Sequence, residues 1–192
     1  MNEMYDFDLY HKKLKKMLSE KRYLHSVNVA SAALELAEIY GEDKEKACIA
    51  GLLHDIAKEM STKKHLKILR GSGAFFEDFK EVSPKVLHGP AGSVYIKKNF
   101  NITDEDILNA IWYHTTGRED MRLFEKIIFV ADYISSERNF LDSAEVREIA
   151  KIDLDKAALH KLSTTIKKCV ILKQAIHLNT VEAYNQLVYA KN

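Results

Sequence analysis

The sequence predicts an all-α protein, and three observations predict it. Only 7 glycines and 2 prolines punctuate 192 residues, so chain breakers are too sparse for a strand-and-turn architecture. Apolar residues recur with the 3.6-residue period of amphipathic helices over long stretches. No segment carries the apolar–polar alternation of a half-buried strand. The length suits one domain, residues 1–192, with a sizeable core.

The elements follow in order. A first helix is expected over roughly Asp8 to Ser19. A second covers roughly Arg22 to Tyr40, with Leu24, Val27, Ala30, Leu34 and Ala37 as its core stripe and Gly41 as its stop. Asp43 can cap a third helix that ends near Lys58. Ser61 or Thr62 opens a fourth. Gly71-Ser72-Gly73 reads as a loop, and the stretch on to Val82 carries no clear assignment. Ser83-Pro84 starts another helix, with proline at its first position. Gly89-Pro90 disturbs or restarts that helix and places His88 at a break. Thr103-Asp104-Glu105-Asp106 resembles an N-cap sequence for a helix reaching about His114. After a loop at Thr115-Thr116-Gly117, helices are expected over Glu119 to Ser136, Leu154 to Ala175 and Thr180 to Ala190.

Composition narrows the partners. The formal net charge of +1 provides no general attraction for a nucleic acid or an anionic membrane, so neither is expected and any phosphate affinity must be local. Cys48 and Cys169 match no CxxC spacing; Cys48 lies in an apolar helical pattern and reads as a buried thiol, in keeping with a reducing compartment. Met1 to Tyr10 is acidic and aromatic, without the apolar core of a signal peptide. The longest apolar run, Ile127 to Ala131, is far too short to span a bilayer. The expected location is the cytoplasm.

The chemistry gathers around His54-Asp55, which closes the apolar stretch Ala47 to Ile56. An imidazole beside a carboxylate can serve one metal ion, but the dipeptide alone is common. Its company raises it: His25 upstream, His88, His114 and Asp132 downstream, in segments that read as helix or helix boundary. Ligands on different helices that point inward are how helical bundles build metal sites. Divalent first-row metals accept imidazole and carboxylate together, and a set without cysteine argues against a closed structural zinc site. Asp55 is the best candidate to bridge two metals. Asp132 sits in an apolar helix, where a carboxylate without a partner is costly.

The flanking residues suit a phosphoanhydride. Lys58 shares nearly one helix face with Asp55, Arg138 follows the helix of Asp132, and Thr115, Thr116 and Gly117 adjoin His114. Tyr133 and Tyr184 read first as core aromatics, with Tyr133 also a candidate substrate contact. His11, His65, His160 and His177 read as surface residues, and the run Lys12 to Lys16 as a solvated face without a partner.

The order His25, His54-Asp55, Asp132 resembles the H…HD…D signature of the HD-domain phosphohydrolases. The strings Arg22-Tyr23-Leu24-His25, Ala50 to Lys58, His88-Gly89, His114 to Gly117, Ala131-Asp132-Tyr133 and Thr180 to Asn185 resemble the bacterial YqeK family, over about residues 10 to 190. Asn28 and Leu178-Asn179 depart from the family pattern. The resemblance implies a helical HD bundle around a metal centre. It implies symmetrical hydrolysis of diadenosine tetraphosphate to two ADP, with two iron ions; manganese, cobalt or magnesium would fit similar ligands. Members have also been labelled hydrolases of NAD metabolism. His25, His54, Asp55 and Asp132 match the core ligands, and His88 and His114 the two extra histidines of the dinuclear subgroup. In the expected reaction a metal-bound hydroxide attacks the β-type phosphorus, with Asp55 and Lys58 as catalytic residues. Lys58, Thr115, Thr116, Gly117, Tyr133 and Arg138 would touch the substrate, a dinucleoside polyphosphate or nucleoside diphosphate. The rival readings are another HD nucleotide phosphohydrolase or phosphodiesterase, and a nucleotide-binding sensor without turnover.

Overall fold

The computed structural model describes residues 5–73, 83–138 and 142–190. Among the described residues the secondary structure is entirely helical: α1 Phe7–Met17, α2 Glu20–Tyr40, α3 Lys44–Leu53, α4 Thr62–Gly71, a 3₁₀ turn Pro84–Val86, α5 His88–Asn99, α6 Glu105–Tyr113, α7 Leu123–Ile134, α8 Ser143–Ile152, α9 Leu154–Ile171 and α10 Leu178–Tyr189. The all-α expectation holds. Side-chain caps start many of these helices. Asp6, Ser19, Asp43, Ser61, Asp104 and Asp153 each accept a hydrogen bond from a first-turn backbone N–H. Gly41 ends α2 at φ 73°, the left-handed stop that its position predicts.

Helix α2 packs on α3 and α7, α3 also meets α6, α5 bridges α4 and α6, and α9 lies across α7, α8 and α10. Leu36, Ile49, Leu52, Leu53, Ile107, Ile111 and Phe129 fill the shared core. The α2–α3 contact is backbone to backbone. A Cβ on Gly51 would lie 2.8 Å from Cα of Ala30, so α3 can approach this closely only with glycine there.

That approach corrects the expected face of α2. Leu24 and Leu34 are exposed, and the buried face is His25, Ser26, Val29, Ala30, Ala33, Leu36 and Ala37. Counting large apolar residues turns the helix by one position, about 100°; close packing selects the small residues instead. Helix α3 stops at Leu53, short of Lys58. The ring of His54 donates to the Gly51 carbonyl, and the chain runs on to Met60 in i to i+3 bonds such as Lys58 to Asp55. Helix α7 begins at Leu123 rather than Glu119, after a turn in which Asp120 has φ 54°. Helix α9 ends at Ile171, before Ala175. Helix α8 was not anticipated, because it is charge-rich and buries only Ser143, Val146 and Ala150. The stretch 74–82 lies outside the described residues.

Several single-residue expectations also change. His65 is buried, with Nε2 2.7 Å from the Ala57 carbonyl, because α4 packs this histidine against the turn after α3. His11, His160 and His177 are half-buried, each with a hydrogen-bond partner: the Tyr23 hydroxyl, the Asp142 carboxylate and the Asn179 N–H. Cys48 is half-buried rather than buried. The Lys12 to Lys16 run is not wholly solvated: Lys13 donates to the Asn99 carbonyl and lies 4.2 Å from the Phe100 ring centre. Tyr133 and Tyr184 join the core, Tyr184 only partly buried. No helix among the described residues is long and apolar enough to cross a membrane.

Candidate metal centre

The helix ends bring the chemistry together. His25 lies in the second turn of α2, His54 and Asp55 follow α3, His88 opens α5, His114 closes α6, and Asp132 sits in the last turn of α7. Each histidine is anchored through Nδ1. His54, His88 and His114 each face the carbonyl three residues back, Gly51 at 2.7 Å, Lys85 at 2.6 Å and Ile111 at 2.7 Å. His25 Nδ1 is held by the Glu137 carboxylate. A carbonyl can only accept, so Nδ1 carries the proton and Nε2 presents a lone pair inward.

Those Nε2 atoms converge on one carboxylate. Asp55 Oδ2 lies 3.4 Å from His54 Nε2 and 3.7 Å from His25 Nε2. Asp55 Oδ1 lies 3.1 Å from His88 Nε2 and 3.6 Å from His114 Nε2. The result is two groups of potential ligand atoms, His25–His54–Asp55 and Asp55–His88–His114, each within a 4.8 Å span and sharing Asp55. Asp132 Oδ1 joins the first group, 3.2 Å from His25 Nε2 and 3.8 Å from His54 Nε2.

This arrangement fits divalent metal. His54 Nε2 and Asp55 Oδ1 are buried without a hydrogen-bond partner, which is costly unless a cation satisfies them. His88 Nε2 and His114 Nε2 face each other at 3.0 Å, acceptor to acceptor. A proton is a poor answer there, since burial lowers His88 and drives His114 down to about 3. Burial opposes ionisation of Asp55, yet the surrounding histidines, His54 foremost, hold its carboxyl well below the usual range. Burial opposes ionisation of Asp132 too, and the Lys161 charge leads the groups that overcome it.

Cations ring the centre. Lys58 Nζ is 3.0 Å from His88 Nε2 and 3.7 Å from Asp55 Oδ1. Arg138 donates to Asp132 Oδ1 at 2.8 Å. Three further residues escaped the sequence reading as site residues. Arg22 donates to Asp55 Oδ2 at 2.7 Å. Buried Lys161 donates to the Phe129 carbonyl at 2.6 Å, and to the His114 carbonyl and Asp132 Oδ2 at 3.1 Å. Lys161 left a signal, a lysine at core spacing in the stripe Leu154, Ala157, Ala158, Leu162. Glu137 left none, because only the fold brings it to His25.

The remaining expected contacts divide. Thr115 Oγ1 lies 3.2 Å from His88 Nε2 and 3.1 Å from His114 Nε2, at the centre itself. Thr116 is buried, its hydroxyl donating to the Gly117 carbonyl and its own carbonyl accepting from Thr180, so its polar groups serve the loop. Gly117 holds φ 65°, a turn suited to glycine. The Tyr133 hydroxyl donates to Asp142 at 3.1 Å. Among the described residues, two cavities adjoin the centre: one of about 270 Å³ walled in part by Asp55, Lys58, His114 and Thr115, and one of about 410 Å³ beside Tyr133 and Asp142. A larger cavity of about 960 Å³ between α4, α5 and α6 contains none of these site residues.

The HD domain pattern matches residues 22–137, a stretch that contains all six clustered histidines and aspartates. The chain belongs to the HD-domain family. Within the family it is 40% identical to a symmetrical bis(5'-nucleosyl)-tetraphosphatase of Halalkalibacterium halodurans, over 91% of this chain and 93% of that one. It is 38% identical to the enzyme of the same name from Bacillus subtilis, over 91% and 94%. A crystal structure from Clostridium acetobutylicum, described as an HD superfamily hydrolase involved in NAD metabolism, superposes with a TM-score of 0.94 at 44% identity, covering 97% of this chain and 99% of that one. The HD match stops before Arg138 and Lys161, so these two cations at Asp132 come from outside the matched stretch.

Proposed function

We propose that this HD protein, its residues 1–192 acting as one domain, hydrolyses diadenosine tetraphosphate symmetrically to two ADP. Relatives at 35–40% identity over about nine-tenths of the chain carry that activity in their names. The single observation that carries the reading is Asp55 shared between two histidine pairs. His25, His54, Asp55 and Asp132 would hold one ion, and Asp55, His88 and His114 the second; iron is the metal the family resemblance favours. Divalent metal held by these residues would supply a water of lowered pKa and a polarised phosphoryl oxygen.

The chain's own residues supply the rest. Arg22 holds Asp55 through Oδ2, and the Lys58 charge faces Oδ1 from 3.7 Å, so one oxygen is turned to each histidine pair. Lys58, Arg138 and the Thr115 hydroxyl donate to non-bridging phosphate oxygens, where charge builds as the bond to the central bridging oxygen breaks. Water adds to a β phosphorus, ADP leaves with the bridging oxygen, and the hydrated half is the second ADP. No protein nucleophile is required.

Incubating metal-loaded protein with diadenosine tetraphosphate and separating the products tests this directly. ADP alone is expected; ATP and AMP in equal amounts would sink the symmetrical reading. Asp55→Ala is expected to lose measurable turnover, and elemental analysis of protein purified without added metal should find iron.

A further inference from the structure

We propose that the cavity of about 410 Å³ is the subsite for the second nucleoside of the substrate, and that Thr165 and Lys168 of α9 grip the polyphosphate where the two cavities meet. This rests on the function proposed above.

The two cavities share four residues, Asp132, Arg138, Thr165 and Lys168, and diverge from there. The smaller, of about 270 Å³, runs over Asp55, Lys58 and His114, where the proposed reaction would place attack on phosphorus. The larger contains no histidine of the metal centre, and among the described residues its private lining is Tyr133, Asp142 and Thr164. Its volume falls within the range of small-molecule pockets, about 300–1,000 Å³.

Charge sorts the parts of the substrate. Among the described residues that line the larger cavity, both cations, Arg138 and Lys168, lie at the junction, and the private ones are neutral or acidic. The junction therefore suits phosphates and the far end suits an uncharged nucleoside. Asp142 is held in place by the Tyr133 hydroxyl and by His160, at 3.1 and 2.5 Å, which presents a set carboxylate edge to ribose hydroxyls. A substrate with two like ends that is cut at its middle needs room on both sides of the cut. In-line displacement sends the leaving half away from the attacking water, out of the Asp55 cavity and into this one.

Thr164→Trp fills the proposed subsite. The ratio of kcat/KM for diadenosine tetraphosphate to that for adenosine 5'-tetraphosphate, which lacks the second nucleoside, is expected to fall about tenfold in the variant. Calorimetric titration of the metal-loaded wild type with ADP should show two sites per chain, and the variant one. An unchanged ratio, or a single ADP site in the wild type, overturns the proposal. Two ADP sites in a protein that leaves diadenosine tetraphosphate intact would overturn the proposed function while supporting the subsite.

Discussion

Lys161 reaches from α9 with its ammonium buried behind the metal centre. Burial pushes it down, and the Asp132 carboxylate opposes that shift. Its three donors tie the end of α6 to the middle of α7 through the His114 and Phe129 carbonyls while orienting Asp132. Removing one partner of a buried ion pair leaves the other uncompensated, so Lys161→Met is expected to cost about 3 kcal/mol in urea unfolding. Loss of such an outer partner weakens metal binding by about 10–100-fold, so elemental analysis of the same variant should show a depleted centre. Full metal content with unchanged stability would remove Lys161 from this role.

Two elements carry predictions of their own. Gly89 lets α5 lie against the end of α6: a Cβ there would come within 2.7 Å of the Trp112 carbonyl oxygen. Gly89→Ala must push α5 outward and pull His88 from His114, at a cost of about 1–3 kcal/mol; a lowered melting temperature together with lowered turnover is expected. At α6, Asp104 caps the helix and pairs with Lys46 at 2.5 Å. Burial opposes its ionisation, but the Lys46 hydrogen bond and the capped N–H groups hold it below the usual range. A depressed carboxyl stabilises above its unfolded value, and that stability is lost as pH falls through the folded value. Asp104→Asn keeps a cap and loses the partly exposed ion pair, so it should cost up to about 1 kcal/mol near neutrality. The gap to wild type should close in acid denaturation series below pH about 4. Most helices were legible because their start and stop chemistry is local, as at Asp43 and Gly41. Helix α8 and the inner face of α2 were not: α8 is short and its apolar side is only Val146, Ile149 and Ala150, and α2 has apolar residues on more than one side, so the approach of α3 decides which face is buried.

At the scale of the molecule, the centre is a keystone set between helices. Residues from α2, α5, α6 and α7 and from the turn after α3 meet there, with α9 behind them. Metal that binds the folded chain and not the unfolded one stabilises by about 2.7 kcal/mol at a hundred times its dissociation constant. Chelator-treated protein is therefore expected to melt at a lower temperature, and added metal to restore it. An unshifted melting curve would contradict a metal that ties the helices together. The sequence by itself determined the class of fold, the order of the chemistry along the chain and the family resemblance. These are carried by residue type, local spacing and capping, all readable within a few turns. Only the tertiary structure decided that Asp55 turns one oxygen to each histidine pair, that Lys161 and Glu137 stand behind the ligands, and that, among the described residues, two cavities with different linings share Asp132 and Arg138. Those facts depend on which helix faces pack at close range, and burial forces partners on polar groups that lie more than a hundred residues apart in the case of His25 and Glu137.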